Sequence, residues 1–168
     1  IKLFMIIKNW NYILLLISSV SILSALTAEY FFNLQPCELC LKQRHPYYFI
    51  IGLILINFFI PISYKIYLFL LIQLSSLYGL FYAVWHVGVE NNFLKGPSGC
   101  SAGLDMSLNT VDLKEQILSK QVISCDEVVW SFFGLSAASI NTIILLVIFN
   151  LNAIYIYKNN GSKKEKNI

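Results

Sequence analysis

Four apolar stretches, each about as long as a bilayer core is thick, dominate the 168-residue chain. They run from about Trp10 to Phe32, Leu41 to Ile60, Ile66 to Val89 and Trp130 to Tyr157, with polar punctuation between them. About 20 apolar residues suffice for a helix to cross lipid, and a soluble core helix would stop sooner. The rest of the composition agrees: 57% of residues are hydrophobic, 12% are charged, and the mean hydropathy is +0.66. The expected fold is an all-α integral membrane four-helix bundle, a single domain over residues 1–168. Pro61 and Ser63 mark a tight turn between the second and third stretches. The first stretch is too long for the apolar core of a signal peptide and lacks a small-x-small cleavage site near Ala25 to Ala28, so it is expected to be retained. The net charge of +3 comes from basic residues near the ends of the chain rather than from a stripe, which gives nucleic acid nothing to bind.

Orientation follows from the positive charges. Lys2, Lys8, Lys65, Lys158, Lys163, Lys164 and Lys166 collect on one face against the single acid Glu165, and the positive-inside rule assigns that face, with both termini, to the cytoplasm. The opposite face holds the short link before Cys40 and a long loop over about 90–129. All four cysteines, Cys37, Cys40, Cys100 and Cys125, fall there. Trp10, Trp85, Trp130, Tyr155 and Tyr157 lie near stretch ends, as interfacial aromatic belts do. Within the loop, Val111, Leu113, Ile117, Leu118 and Val122 can form one face of a short helix, opposite Asp112, Lys114, Glu115 and Lys120. That pattern suits a helix lying in the membrane interface, or a small soluble packing helix.

Cysteines confined to an exported, oxidising face act in disulfides, redox-active or structural. Cys37 and Cys40 form a Cys-x-x-Cys behind Pro36, where the second stretch begins. The first turn of a helix offers unpaired N–H groups and a positive dipole end, both of which favour thiolate, and Lys42 and Arg44 add cationic charge. Glu38, between the two cysteines, works slightly the other way. A purely structural pair, or half a zinc site completed by Cys100 and Cys125, are the alternatives. Zinc sites want paired ligand spacings, and a whole loop separates these last two. Cys100 sits in an exposed Gly96–Cys100 stretch where another protein could reach it. A disulfide from Cys100 to Cys125 would close a loop long enough to stabilise the fold by itself, so a structural role competes for that pair.

Ionisable groups near span ends are costly to bury, which draws attention to Glu29, Arg44, His86 and Glu90. Arg44 lies one helical turn beyond Cys40, on the same face, where it could hold a thiolate and an acceptor oxygen or snorkel to headgroups. His86 and Glu90 are one turn apart. Capping or mutual hydrogen bonding is the ordinary role of such a pair, with His86 the better candidate for acceptor contact or proton transfer.

At these residues the sequence resembles the disulfide-bond formation protein B family, the quinone-linked membrane oxidases. The segments that carry the resemblance are QPCELCLKQR at Gln35 to Arg44, WHVGVE at Trp85 to Glu90, GPSGC at Gly96 to Cys100 and SCDEVVWSFFGLS at Ser124 to Ser136, in that order. The resemblance implies a bacterial inner-membrane thiol oxidoreductase with its cysteines on the periplasmic side. It implies two redox disulfides, Cys37–Cys40 and Cys100–Cys125. Cys40 would be the thiolate against the quinone, with Arg44 stabilising the charged species; His86 stays the candidate for quinone contact that its position suggests. Cys100 would form the mixed disulfide with a periplasmic thioredoxin-like, DsbA-like oxidase. The implied acceptor is ubiquinone in preference to menaquinone, with no metal. Two rivals remain. Proteins like vitamin K epoxide reductase also couple thiols to a quinone, but they carry the membrane Cys-x-x-Cys after the loop pair, the reverse of the order here. A membrane scaffold stiffened by two inert disulfides is the rival without catalysis.

Overall fold

In the computed structural model, residues 9–61, 64–97, 100, 124–128 and 130–165 are described, with side chains as far as 159. Four helices carry the fold: α1 (Trp10–Tyr30), α2 (Glu38–Asn57), α3 (Lys65–Glu90) and α4 (Ala137–Glu165). This is the expected membrane helical bundle. Three of the helices, α1, α3 and Ala137–Asn159 of α4, are long and apolar enough to cross a membrane. The 20 residues of α2 reach about 30 Å, but Glu38, Lys42, Gln43, Arg44 and His45 make its first two turns polar. The expected amphipathic helix over 111–123 lies outside the described residues.

Packing follows helical periodicity. On α1 the buried positions are Trp10, Leu14, Ser18 and Ile22, a stripe of spacing four. On α3, buried Phe69, Ile72, Ser76, Gly79, Ala83 and His86 alternate spacings of three and four, the rhythm of knobs-into-holes packing. Helix α3 packs against both α2 and α4, and α1 packs chiefly on α2. Large apolar side chains such as Leu16, Leu23, Leu74 and Phe81 point outward, as side chains facing lipid do. Lipid is as apolar as leucine, so interhelical contact has to come from close packing and polar bonds. Both are present. Gly79 lets α3 close on α2 and α4: a Cβ there would stand 2.7 Å from Pro46 Cγ and 3.1 Å from Leu145 Cδ1. Fully buried Asn152 on α4 accepts from Trp10 Nε1 (3.2 Å) and donates to the Phe69 carbonyl (3.0 Å) and Gln73 Oε1 (2.7 Å), tying three helices together.

The fourth helix starts later than its apolar stretch. Ser131–Phe132 and Leu135–Ser136 pair as antiparallel strands β1 and β2, and Phe133 and Gly134, both at positive φ, make the two-residue turn. Such a turn matches the natural strand twist and needs left-handed residues. Helix α4 therefore begins at Ala137, where Ser136 Oγ accepts from the Ser139 N–H.

Candidate functional site

Helix α2 opens at the first cysteine pair. Cys37 is its N-cap, extended at φ −72°, ψ 170°, and its sulfur accepts the Cys40 N–H at 3.2 Å. One of the orphan donors of the first turn is thus satisfied by sulfur. This cap starts α2 at Glu38, three residues before the apolar run. The two sulfurs are 2.8 Å apart and unbonded, so the pair is a reduced dithiol, with Cys37 buried and Cys40 half-buried. The Cys37 thiol is acidified from the usual 9.0 to about 5: its side-chain hydrogen bond with Cys40 is the main cause, burial opposes, and His86 and the Cys40 backbone N–H add to the lowering. In the dithiol the acidic sulfur is therefore Cys37, and Cys40 keeps its proton.

Cys100 and Cys125 are disulfide-bonded across 25 residues of sequence. The Cys125 N–H and Ser124 Oγ both donate to the Cys100 carbonyl at 3.1 Å, and the Cys100 N–H donates to the Pro97 carbonyl at 2.8 Å. Trp85 Nε1 of α3 donates to the Lys95 carbonyl, fastening the loop's start to the bundle. Cys37, Leu39, Val89, Cys100 and Cys125 bury one another in a single cluster, with Cys40, Tyr82 and Trp85 against it. All four cysteines come together there. Since Cys100 and Cys125 are bonded to each other, they offer no thiolate to a zinc ion shared with Cys37 and Cys40. Among the described residues the one set of metal-type donors is Cys37, Cys40 and His86, whose ligand atoms lie within 4.8 Å of one another.

A cavity of about 300 Å3 opens beside the dithiol. Cys37, Cys40, Gln43, Arg44, Tyr47 and His86 make its polar side, while Val20, Ile22, Ala25, Ala138, Ile140 and Ile144 of α1 and α4 make the apolar side. The Arg44 guanidinium lines the cavity and pairs with Glu29 of α1, and its second nitrogen reaches the Ala25 carbonyl. Lys42 is committed to Glu38 at 2.8 Å, so its charge and the acid between the cysteines neutralise one another. His86 is buried: Nε2 lies 3.6 Å from Cys37 Sγ and 3.9 Å from Glu90 Oε1. Glu90 itself accepts from Ser136 Oγ at 2.5 Å, tying α3 to the hairpin. Three residues that sequence reasoning did not pick out complete the wall. Gln43 Nε2 lies 2.7 Å from His86 Nδ1, Asn141 Nδ2 donates to Gln43 Oε1 at 2.6 Å, and Tyr47 OH donates to Asn141 Oδ1 at 2.5 Å. Their signal was available: amide side chains inside apolar spans are costly unless used.

A membrane bundle that holds a reduced Cys-x-x-Cys and a second cysteine pair in one buried cluster belongs to the class of membrane thiol–disulfide proteins. The model of the family "Disulfide bond formation protein DsbB" matches residues 8–155, and the chain belongs to that family. It is 28% identical over 153 residues to an uncharacterized protein, RP370, of Rickettsia prowazekii, covering 88% of each chain. It is also 29% identical over 124 residues to disulfide bond formation protein B of Methylobacillus flagellatus, covering 71% of this chain and 74% of that one. No solved structure matches the chain.

Proposed function

We propose that this disulfide-bond formation membrane protein oxidises a periplasmic thioredoxin-like dithiol and delivers the two electrons to a quinone, ubiquinone rather than menaquinone. The observation that carries this reading is the burial of both cysteine pairs in one cluster beside a cavity of about 300 Å3. That volume falls in the range of small-molecule sites, and its apolar walls with a few convergent polar groups suit a quinone ring. Cys40, Arg44 and His86 would hold it, and a bound quinone supplies the sink for two electrons and two protons.

The thiol steps follow from the positions of the sulfurs. A thiolate of the partner attacks Cys100 in the Cys100–Cys125 disulfide, forming a mixed disulfide and releasing Cys125 as thiolate. The partner's second thiolate then attacks its own sulfur of that bond, leaving the partner oxidised and Cys100 and Cys125 reduced. Attack by this reduced pair on Cys37 of a Cys37–Cys40 disulfide frees Cys40 as thiolate at the cavity wall, and closure of the Cys100–Cys125 bond releases Cys37. Burial in one cluster keeps the reach short. The acidity of Cys37 makes it the better leaving sulfur in that closure. With its positively charged termini inside, the chain places all of this chemistry at the periplasmic face of the inner membrane, as a single four-span domain.

The experiment is turnover of purified protein with a reduced thioredoxin-like protein and a short-chain quinone. Wild type should oxidise the partner, and Cys37→Ser or Cys40→Ser should abolish turnover. Full turnover in either variant would reject the reading, and no turnover in wild type would favour a scaffold stiffened by disulfides.

A further inference from the structure

The polar chain behind His86 has a direction. An amide nitrogen only donates, so the 2.7 Å contact from Gln43 Nε2 obliges His86 Nδ1 to accept. A neutral imidazole then carries its single proton on Nε2, the atom 3.6 Å from Cys37 Sγ. Gln43 can turn its amide over only if Asn141 turns with it, because Asn141 Nδ2 donates to its Oε1 at 2.6 Å. Asn141 is held in turn by the Tyr47 hydroxyl on its Oδ1 at 2.5 Å. Between the Tyr47 hydroxyl and the sulfur, Asn141, Gln43 and His86 each give one hydrogen bond and take one.

We infer that Gln43 and Asn141 are positioning residues that hold His86 as the Nε2–H tautomer, so that its ring donates a hydrogen bond to the Cys37 sulfur. This deepens the proposed thiol oxidase reading and rests on it for its consequence in turnover. The hydrogen bond favours the Cys37 thiolate, the form that leaves when the exchange between the cysteine pairs resolves. The row also joins three helices. Gln43 and Tyr47 belong to α2, His86 to α3 and Asn141 to α4, so the tautomer is set by the packing of the bundle rather than by one helix. The other titratable or charged groups around the pair are Cys40 and Arg44 on α2, Glu29 on α1, Glu90 on α3 and Glu127 before the hairpin. On α4 the facing polar group is neutral Asn141.

The test is the histidine 15N spectrum of the full chain in detergent, with His45→Gln leaving a single histidine, measured without quinone or partner. Wild type should show a protonated Nε2 and an unprotonated Nδ1. Gln43→Glu keeps the size of the side chain but places an oxygen that only accepts against Nδ1, so the proton should move to Nδ1. Losing the donor should raise the pH midpoint of Cys37 alkylation by about one to two pH units, the worth of a hydrogen bond to a charged group. Gln43→Met, which imposes neither tautomer, should give a mixture with an intermediate midpoint. A wild-type ring protonated on Nδ1, or a Gln43→Glu spectrum unchanged from wild type in a folded protein, would overturn the inference. Quinone reduction is read separately: its absence in wild type with these spectra intact would reject the oxidase reading and uphold the positioning of His86.

Discussion

Replacing Cys40 with alanine should change the acidity of Cys37 far more than its reactivity at neutral pH. Cys37 ionises near pH 5 instead of 9.0, chiefly because of its side-chain hydrogen bond with the Cys40 thiol, the two sulfurs being 2.8 Å apart. The acid form is the neutral one, so a lowered midpoint means thiolate at every pH above about 5. Cys40→Ala removes the main cause and leaves burial, which opposes ionisation, so the midpoint should climb toward 9.0. At pH 7 the thiolate fraction then drops from about 99% to about 1%. A more basic thiolate is a stronger nucleophile, however, and a Brønsted coefficient of 0.4 to 0.5 over about four pH units restores some 40- to 100-fold in rate. The two effects nearly cancel at pH 7, and a single-pH comparison would show almost nothing. The assay is therefore the full pH profile of iodoacetamide alkylation, between pH 4 and 10, in a Cys100→Ser, Cys125→Ser background, with label on Cys37 told from label on Cys40 by peptide mass. A wild-type midpoint near 9, or a midpoint that stays near 5 in Cys40→Ala, would refute the argument that the neighbouring thiol sets the acidity.

Two predictions concern the bundle. Asn152→Ala deletes three interhelical hydrogen bonds, and at about 0.6 kcal/mol for each in a membrane protein it should lower stability by about 2 kcal/mol in reversible unfolding from mixed micelles. An unchanged midpoint would show that Asn152 does not join α1, α3 and α4. Gly79→Ala places a methyl group 2.7 Å from Pro46 Cγ, so α2 and α3 must separate, at a cost of about 1–3 kcal/mol. Gly52→Ala, which meets nothing within 4 Å, is the control and should lose no stability in the same assay.

How far the sequence could be read depends on the range of the physics involved. Span-length apolar runs declare membrane helices without any tertiary information, and all four stretches became helices. Their ends are set by local chemistry that hydropathy averages away. The sulfur of Cys37 caps α2 and starts it early, and the left-handed Phe133–Gly134 turn takes the apolar run after Trp130 into a hairpin. Glu29 and Arg44 were each conspicuous as ionisable groups near span ends, but their pairing joins two helices and no spacing announces it. Gln43 and Asn141 lie 98 residues apart and meet only once the bundle has closed. The order of acidity within the Cys-x-x-Cys was likewise hidden. Helix dipole and flanking cations speak for both thiols, whereas only Cys37 meets His86 and accepts the Cys40 backbone N–H.

The central claim is that electrons leave the protein from Cys37 and Cys40. Anaerobic titration of the fully reduced protein with a short-chain quinone, followed by quinol absorbance, tests it with no partner present. Each dithiol yields two electrons and each quinone takes two. The account predicts two quinones consumed per wild-type chain, one in the Cys100→Ser, Cys125→Ser variant, and none in Cys40→Ser. A full equivalent of quinol from Cys40→Ser would contradict it.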